Sequence, residues 1–117
     1  MKDSMHNKRL GREGEAAAVK YLEKSGYKII ERNFRTPFNE VDIIASTGET
    51  VAFIEVKTRL SDSFGLPNEA VTPSRQRLYF RAAEYYFSDR PIDCIVRFDI
   101  IEVFRGKINH IEDAFRP

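Results

Sequence analysis

Between Leu10 and Gly26 the chain runs LGREGEAAAVKYLEKSG, with Leu10, Gly14, Ala17, Ala18, Tyr21 and Leu22 recurring at helical spacing. That spacing gathers small and apolar side chains on one stripe of an α-helix, and Gly26 is a residue that ends one. YKIIERNF follows as a first strand. EVDIIA and TVAFIEVKT flank the short polar STGE, which predicts a β-hairpin. Serine, aspartate, glycine and proline across residues 60–67 predict a loop. Thr72 then offers an N-cap hydroxyl, and Pro73 stands where its missing N–H costs nothing. The helix they start is expected to run to about Phe87 and to bury Leu78, Ala82 and Tyr85 or Tyr86. CIVRFDIIEVF is a long strand, RG a turn and KINHIED a short edge strand. The order α-β-β-β-α-β-β joins an antiparallel hairpin to a strand–helix–strand crossover of right hand. The prediction is an α/β fold with a mixed β-sheet flanked by helices.

One strand breaks its own pattern. In VAFIEVKTR, side chains alternate faces, so Val51, Phe53, Glu55 and Lys57 share one side and Ala52, Ile54 and Val56 the other. In NEVDIIA, the same rule sets Glu40, Asp42 and Ile44 against Val41, Ile43 and Ala45. A two-residue loop at Gly48-Glu49 pairs Thr47 with Thr50, and glycine in its first position suits a type II′ turn. Counting back, Asp42 falls opposite Glu55 and Glu40 opposite Lys57, with opposed Cβ atoms roughly 5 Å apart. Two carboxylates so placed repel unless something positive lies between them. A divalent cation with oxygen ligands answers that need, and Mg²⁺ takes one or two carboxylates while keeping water. Lys57 would bind a phosphate or hold a water, which completes the parts for metal-assisted phosphate-ester hydrolysis. The competing reading is a solvated Glu–Lys pair of little energetic weight. The apolar flanks and the carboxylate across the turn favour the site.

Composition narrows the setting. A chain of 117 residues suits one domain, over residues 8–115, with residues 1–7 a loose end. With 42% hydrophobic and 32% charged residues, a wholly disordered chain is excluded. A net charge of +1 neither suggests nor excludes nucleic acid. Cys94 is the single cysteine, so no internal disulfide forms and a reducing compartment fits. The polar start MKDSMHNKRL and the lack of a long apolar run point to the cytoplasm, away from membranes. Basic residues are scattered: Lys8, Arg9 and Arg12, then Arg32 and Arg35, then Arg59, then Arg75, Arg77 and Arg81 beside Tyr79 and Phe80. Gathered around the carboxylates, they would form a rim that tracks phosphates without reading bases. Glu15 sits in the first helix, where the macrodipole alone favours it. Gly11 and Gly14 permit close packing. His6 and His110 lack ligand spacing, Cys94 is a small core residue, and Asp99 between Phe98 and Ile100 calls for a structural hydrogen bond.

An acidic residue on one hairpin strand with E-x-K on the next resembles the PD-(D/E)xK nuclease superfamily. GREGEAAAVKYLEKSGYKIIERNFR, NEVDIIA, FIEVKTR and RFDIIEV together resemble the YraN family of small bacterial proteins, described as endonucleases related to archaeal Holliday-junction resolvases. The resemblance runs from about Leu10 to Phe115. It implies a restriction-endonuclease-like core, Mg²⁺ or Mn²⁺ held by Asp42 and Glu55, Lys57 as the catalytic lysine and Glu15 near the metal. It also implies a DNA substrate, branched or structured; of the basic rim, Arg12, Arg35, Arg59, Arg75 and Arg77 are the residues expected to contact it. Glu40 matches a family glutamate, whereas Asn39 stands where the family has glycine. A homodimer would suit a substrate with paired strands to cut. The alternative is a module of the same fold that binds nucleic acid or a partner and turns over nothing. Hydrolysis of a small phosphate ester fits the same chemistry, but so small a domain leaves little room for a closed pocket.

Overall fold

The computed structural model describes residues 2–59 and 71–117, with side chains from Arg9 onward. The loop expected over residues 60–67, and the side chains of His6 and Lys8, lie outside those residues. The elements are α1 (Lys2–Lys24), β1 (Lys28–Arg35), β2 (Glu40–Thr47), β3 (Thr50–Thr58), α2 (Pro73–Tyr86), β4 (Ile95–Phe104) and β5 (Lys107–Ile111). This is the predicted order. The five strands form one sheet in chain order, with β3 and β4 parallel and the other neighbours antiparallel.

Alternation along the central strand explains the layers. Ala52 and Ile54 pack toward α1, with Ala18, Leu22, Ile43, Ala45, Ile101 and Val103. Phe53 packs toward α2, with Ile44, Tyr79, Ala82, Ala83, Tyr86, Phe98 and Ile100. Each large apolar side chain so buried contributes about 1.5–3 kcal/mol. A helix on either face therefore seals β3 on both sides. The hairpin register is the expected one, from Thr47 opposite Thr50 to Ile43 opposite Ile54. Gly48 takes the positive φ of 55° at the first loop position, as a type II′ turn requires.

The start of α2 is also as predicted, since Thr72 Oγ1 accepts the Arg75 N–H at 3.3 Å. Its buried stripe differs. Tyr79, Ala82, Ala83 and Tyr86 face inward, while Leu78 is half-buried and Tyr85 is exposed. Tyr79 and Phe80 are thus corrected from rim aromatics to core: Tyr79 is fully buried and Phe80 meets Phe98 edge-on, centroids 4.9 Å apart. The 3–4–7 spacing of that stripe turns Tyr79 inward.

On the α1 face, Asp99 is fully buried and held as a structural group. It accepts from Arg97 Nε at 2.9 Å and from the Asp113 N–H at 3.0 Å, and it lies 2.8 Å from His110 Nε2. His110 Nδ1 in turn meets the Tyr21 hydroxyl at 2.8 Å, tying β4, β5 and α1 together. Burial pushes the Asp99 carboxyl up, but the bonds from His110, Arg97 and Asp113 outweigh it and hold the group below its ordinary value.

Gly14 is a close-packing glycine and Gly11 is not. A Cβ on Gly14 would collide with Thr58 Oγ1, which donates to the Leu10 carbonyl at 3.3 Å, so glycine lets α1 approach β3. A Cβ on Gly11 meets nothing within 4 Å. Urea denaturation should accordingly show Gly14→Ala losing about 1–3 kcal/mol through overpacking. Gly11→Ala should gain up to about 1 kcal/mol from helix propensity. Equal effects at the two positions would contradict the close approach.

Candidate active site

Glu55 continues the Phe53 row beneath α2 and is 2% exposed. An ionised carboxylate there requires paired charge and hydrogen bonds. Arg75, in the first turn of α2, supplies both: its Nε lies 2.7 and 3.0 Å from the two carboxylate oxygens and its Nη2 lies 2.7 Å from Oε1. Tyr79, one turn further on the same helix face, donates to Oε1 at 3.2 Å. Lys57 Nζ stands off at 3.6 Å from Oε2. Burial first, then the charges of Glu55 and Asp42, push the Tyr79 hydroxyl pKa well up.

The β2–β3 ladder stops at Ile43 and Ile54. At the next position Asp42 Oδ2 accepts the Val56 N–H at 2.7 Å. The side chain thereby occupies the place of a ladder bond where the strands part. Glu40 is not paired with Lys57, which corrects the expectation for that end of the hairpin. It pairs instead with Arg35 of β1, whose Nε lies 3.4 Å from its carboxylate, because the β1–β2 ladder outlasts the β2–β3 one. Burial raises the Asp42 carboxyl to about 7; Glu55 and Glu15 add to the rise, and the Val56 N–H opposes it. The sequence-named Glu15, Asp42, Glu55 and Lys57 therefore converge at one corner of the sheet.

Asn33 makes that corner. It adopts a left-handed φ of 54°, a conformation asparagine tolerates, between Arg32 and Phe34, whose partners Ile43 and Val41 flank Asp42. Past it, Phe34 and Val41 both join the α2-side core, so Val41 is corrected from the face of Ile43 and Ala45. With its amide nitrogen turned inward, Asn33 donates to Glu15 Oε1 at 3.0 Å and Glu40 Oε1 at 3.3 Å. Burial raises the Glu15 carboxyl, against the pull of Arg32 and Asn33. Asn39 keeps φ out of the left-handed region and closes a turn on Thr36, so glycine is not needed there.

The arginines divide. Arg12 and Arg77 are exposed, and Arg35 is exposed beside Glu40. Arg59 is half-buried against Glu102, donating from Nε at 2.7 Å, with a second contact from Nη2. Glu102 is fully buried, accepts Asn109 Nδ2 at 2.8 Å and lies beside Lys57 in the β3–β4 register. Sequence reasoning passed over Glu102 and Asn33. The signal for Glu102 was a second acidic residue in RFDIIEV, which gains meaning only once β4 is known to pair with β3.

Among the described residues no three His, Cys, Asp or Glu side chains are placed to hold one metal ion together. Asp42 and Glu55 alone match an ion that keeps most of its water, as Mg²⁺ does. The chemistry of the pair fits: burial and the charges of Glu55 and Glu15 push Asp42 toward neutrality against the Val56 N–H and Arg75, and the Val56 N–H goes to Oδ2 alone. A cavity of about 720 Å³ lies elsewhere. Phe80, Phe87, Ile92, Ile95 and Phe98 line it, at the opposite end of the parallel pair from Lys57. No helix of the described residues is long and apolar enough to cross a membrane.

The model of the uncharacterised protein family UPF0102 matches residues 14–103. A UPF0102 protein of Thermodesulfovibrio yellowstonii is 51% identical over 91% of this chain and 95% of its own. One of Geobacter metallireducens is 48% identical over 96% of each. Among solved structures, Archaeoglobus fulgidus Hjc, a Holliday junction resolvase from an archaeal hyperthermophile, aligns with a TM-score of 0.56 and 21% identity. The alignment covers 84% of this chain and 72% of that one. That likeness establishes a common fold, the restriction-endonuclease-like α/β core expected from the sequence.

The raised Asp42 carboxyl has a consequence for stability. The folded state holds its proton up to about pH 7 and the unfolded chain releases it near 3.8, so stability falls as pH rises between those values. Asp42→Asn keeps an acceptor for the Val56 N–H and removes this loss. Without divalent ions, its stability should match wild type near pH 4 and exceed it by on the order of a few kcal/mol at pH 8. A constant difference from pH 4 to pH 8 would contradict the placement of Asp42.

Proposed function

From a chain that belongs to the UPF0102 family and shares the fold of a Holliday junction resolvase, we propose a metal-dependent endonuclease that hydrolyses phosphodiesters in DNA. The observation that carries the proposal is the convergence of Asp42 and Glu55, with Lys57 beside them, where β2 and β3 part. Asp42 and Glu55 would hold Mg²⁺ or Mn²⁺. The bound ion supplies Lewis acidity to a phosphate oxygen and lowers the pKa of a water. Lys57, one-third exposed, holds its ammonium 3.6 Å from the buried Glu55 carboxylate. There it orients the attacking water or meets the negative charge that develops on the phosphate. Glu15, with its carboxyl raised by burial, is suited to accept a proton from that water. Exposed Arg12 and Arg77 would hold the substrate by its backbone. The likeness to the archaeal Holliday junction resolvase makes branched DNA the first substrate to try.

The full clasp of Arg75 on Glu55 favours a second reading, a module of the same fold that binds DNA without cutting it. One set of assays separates the two. With Mn²⁺, plasmid and four-way-junction DNA should be cut by wild type, and about a hundredfold or more slowly by Glu55→Gln and Lys57→Ala. Cleavage that persists in both purified variants would sink the nuclease reading. Salt-dependent DNA binding that survives EDTA and Asp42→Asn, with no cleavage by wild type, would establish the binding module.

A further inference from the structure

Glu55 is more tightly held than a metal ligand awaiting its ion would be. Both of its oxygens already receive Arg75, Oε1 also receives Tyr79, and only the 3.6 Å approach of Lys57 is loose. We propose that Arg75 is the resident counter-cation of Glu55, standing where a divalent ion binds, so that ion and guanidinium exclude one another. The inference rests on the reading of Asp42 and Glu55 as a cation site, and it adds a device that controls loading.

The geometry sets Arg75 apart from the other partners of Glu55. Tyr79 is fully buried and cannot leave without repacking the core, whereas the Arg75 side chain is 44% exposed and has an open path to solvent. Arg75 also sits in the first turn of α2, which carries no acidic residue. The positive end of the helix dipole disfavours an arginine there, and Glu55 offsets that cost. Without the guanidinium, a carboxylate this buried lacks its main compensation, which is why something positive must replace it. A hard cation shared with Asp42 meets that condition. Arg75, once displaced, stays at a helix N-terminus on the open side, where a phosphate of the substrate is the natural partner.

Calorimetric titration with Mn²⁺ at pH 8 tests the exclusion directly, using wild type, Arg75→Gln and Asp42→Asn. Glutamine at position 75 keeps a hydrogen-bond donor near Glu55 while removing the charge. Arg75→Gln should bind Mn²⁺ at least about tenfold more tightly than wild type, the lower worth of a charge-assisted bond to a carboxylate. A second measurement needs no variant. In wild type, the Nε–H resonance of Arg75 should lose its hydrogen-bonded shift and its protection from exchange as Mg²⁺ is added. Equal or weaker Mn²⁺ binding by Arg75→Gln, or an Arg75 resonance unmoved at saturating Mg²⁺, overturns the exclusion. If wild type and Arg75→Gln take up no ion that Asp42→Asn loses, the cation site itself fails, and that result is distinct from the first.

Discussion

Two carboxylates brought together in one corner of a sheet repel unless positive charge reaches them. Asp42 and Glu55 meet that constraint in different ways. Glu55 is paired, clasped by Arg75 and Tyr79. Asp42 accepts the Val56 N–H, and burial drives its carboxyl to about 7 against that bond and the charge of Arg75. Glu55 thus has a full set of partners, whereas Asp42 keeps one hydrogen bond. A cation in the corner would serve both carboxylates, and the functional reading rests on their convergence beside Lys57.

The fold produces the corner by ordinary means. A tight hairpin sets the register of β2 on β3, and a crossover returns the chain through α2 to lay Arg75 and Tyr79 over the same face. On that face acidic and basic groups alternate: Glu55 with Arg75, and Glu102 with Arg59, with Lys57 between them in the strand register. The other face is organised around Asp99, whose partners Arg97 and His110 lie on β4 and β5 and reach α1 through Tyr21. One buried polar network thus fixes the strands and the first helix. The other stands at the open end, where it can exchange partners.

Most of the architecture could be read from local patterns. The hairpin loop, the Thr72-Pro73 helix start and the period-two rows of β3 each rest on neighbours in sequence, so the element order and the hairpin register from Thr47–Thr50 to Ile43–Ile54 followed. What escaped depended on contacts between distant segments. Tyr79 looked like a surface aromatic among arginines until its partners Glu55 and Phe115 came from other elements. Glu102 acquired its place only through β3–β4 pairing, and Asn33 through a left-handed residue that sequence alone does not announce. Arg75 was named as a phosphate contact. Its hold on Glu55 required knowing how the crossover helix lies on the sheet.

The account stands on a hard divalent cation bridging residues 42 and 55. The most direct measurement is an anomalous difference map from crystals of the wild-type protein soaked in Mn²⁺ above pH 7. The account predicts a manganese peak shared by the Asp42 and Glu55 carboxylates, with the Arg75 guanidinium moved off Glu55. A featureless map at that corner under saturating Mn²⁺, with Arg75 still on both carboxylate oxygens, would contradict it.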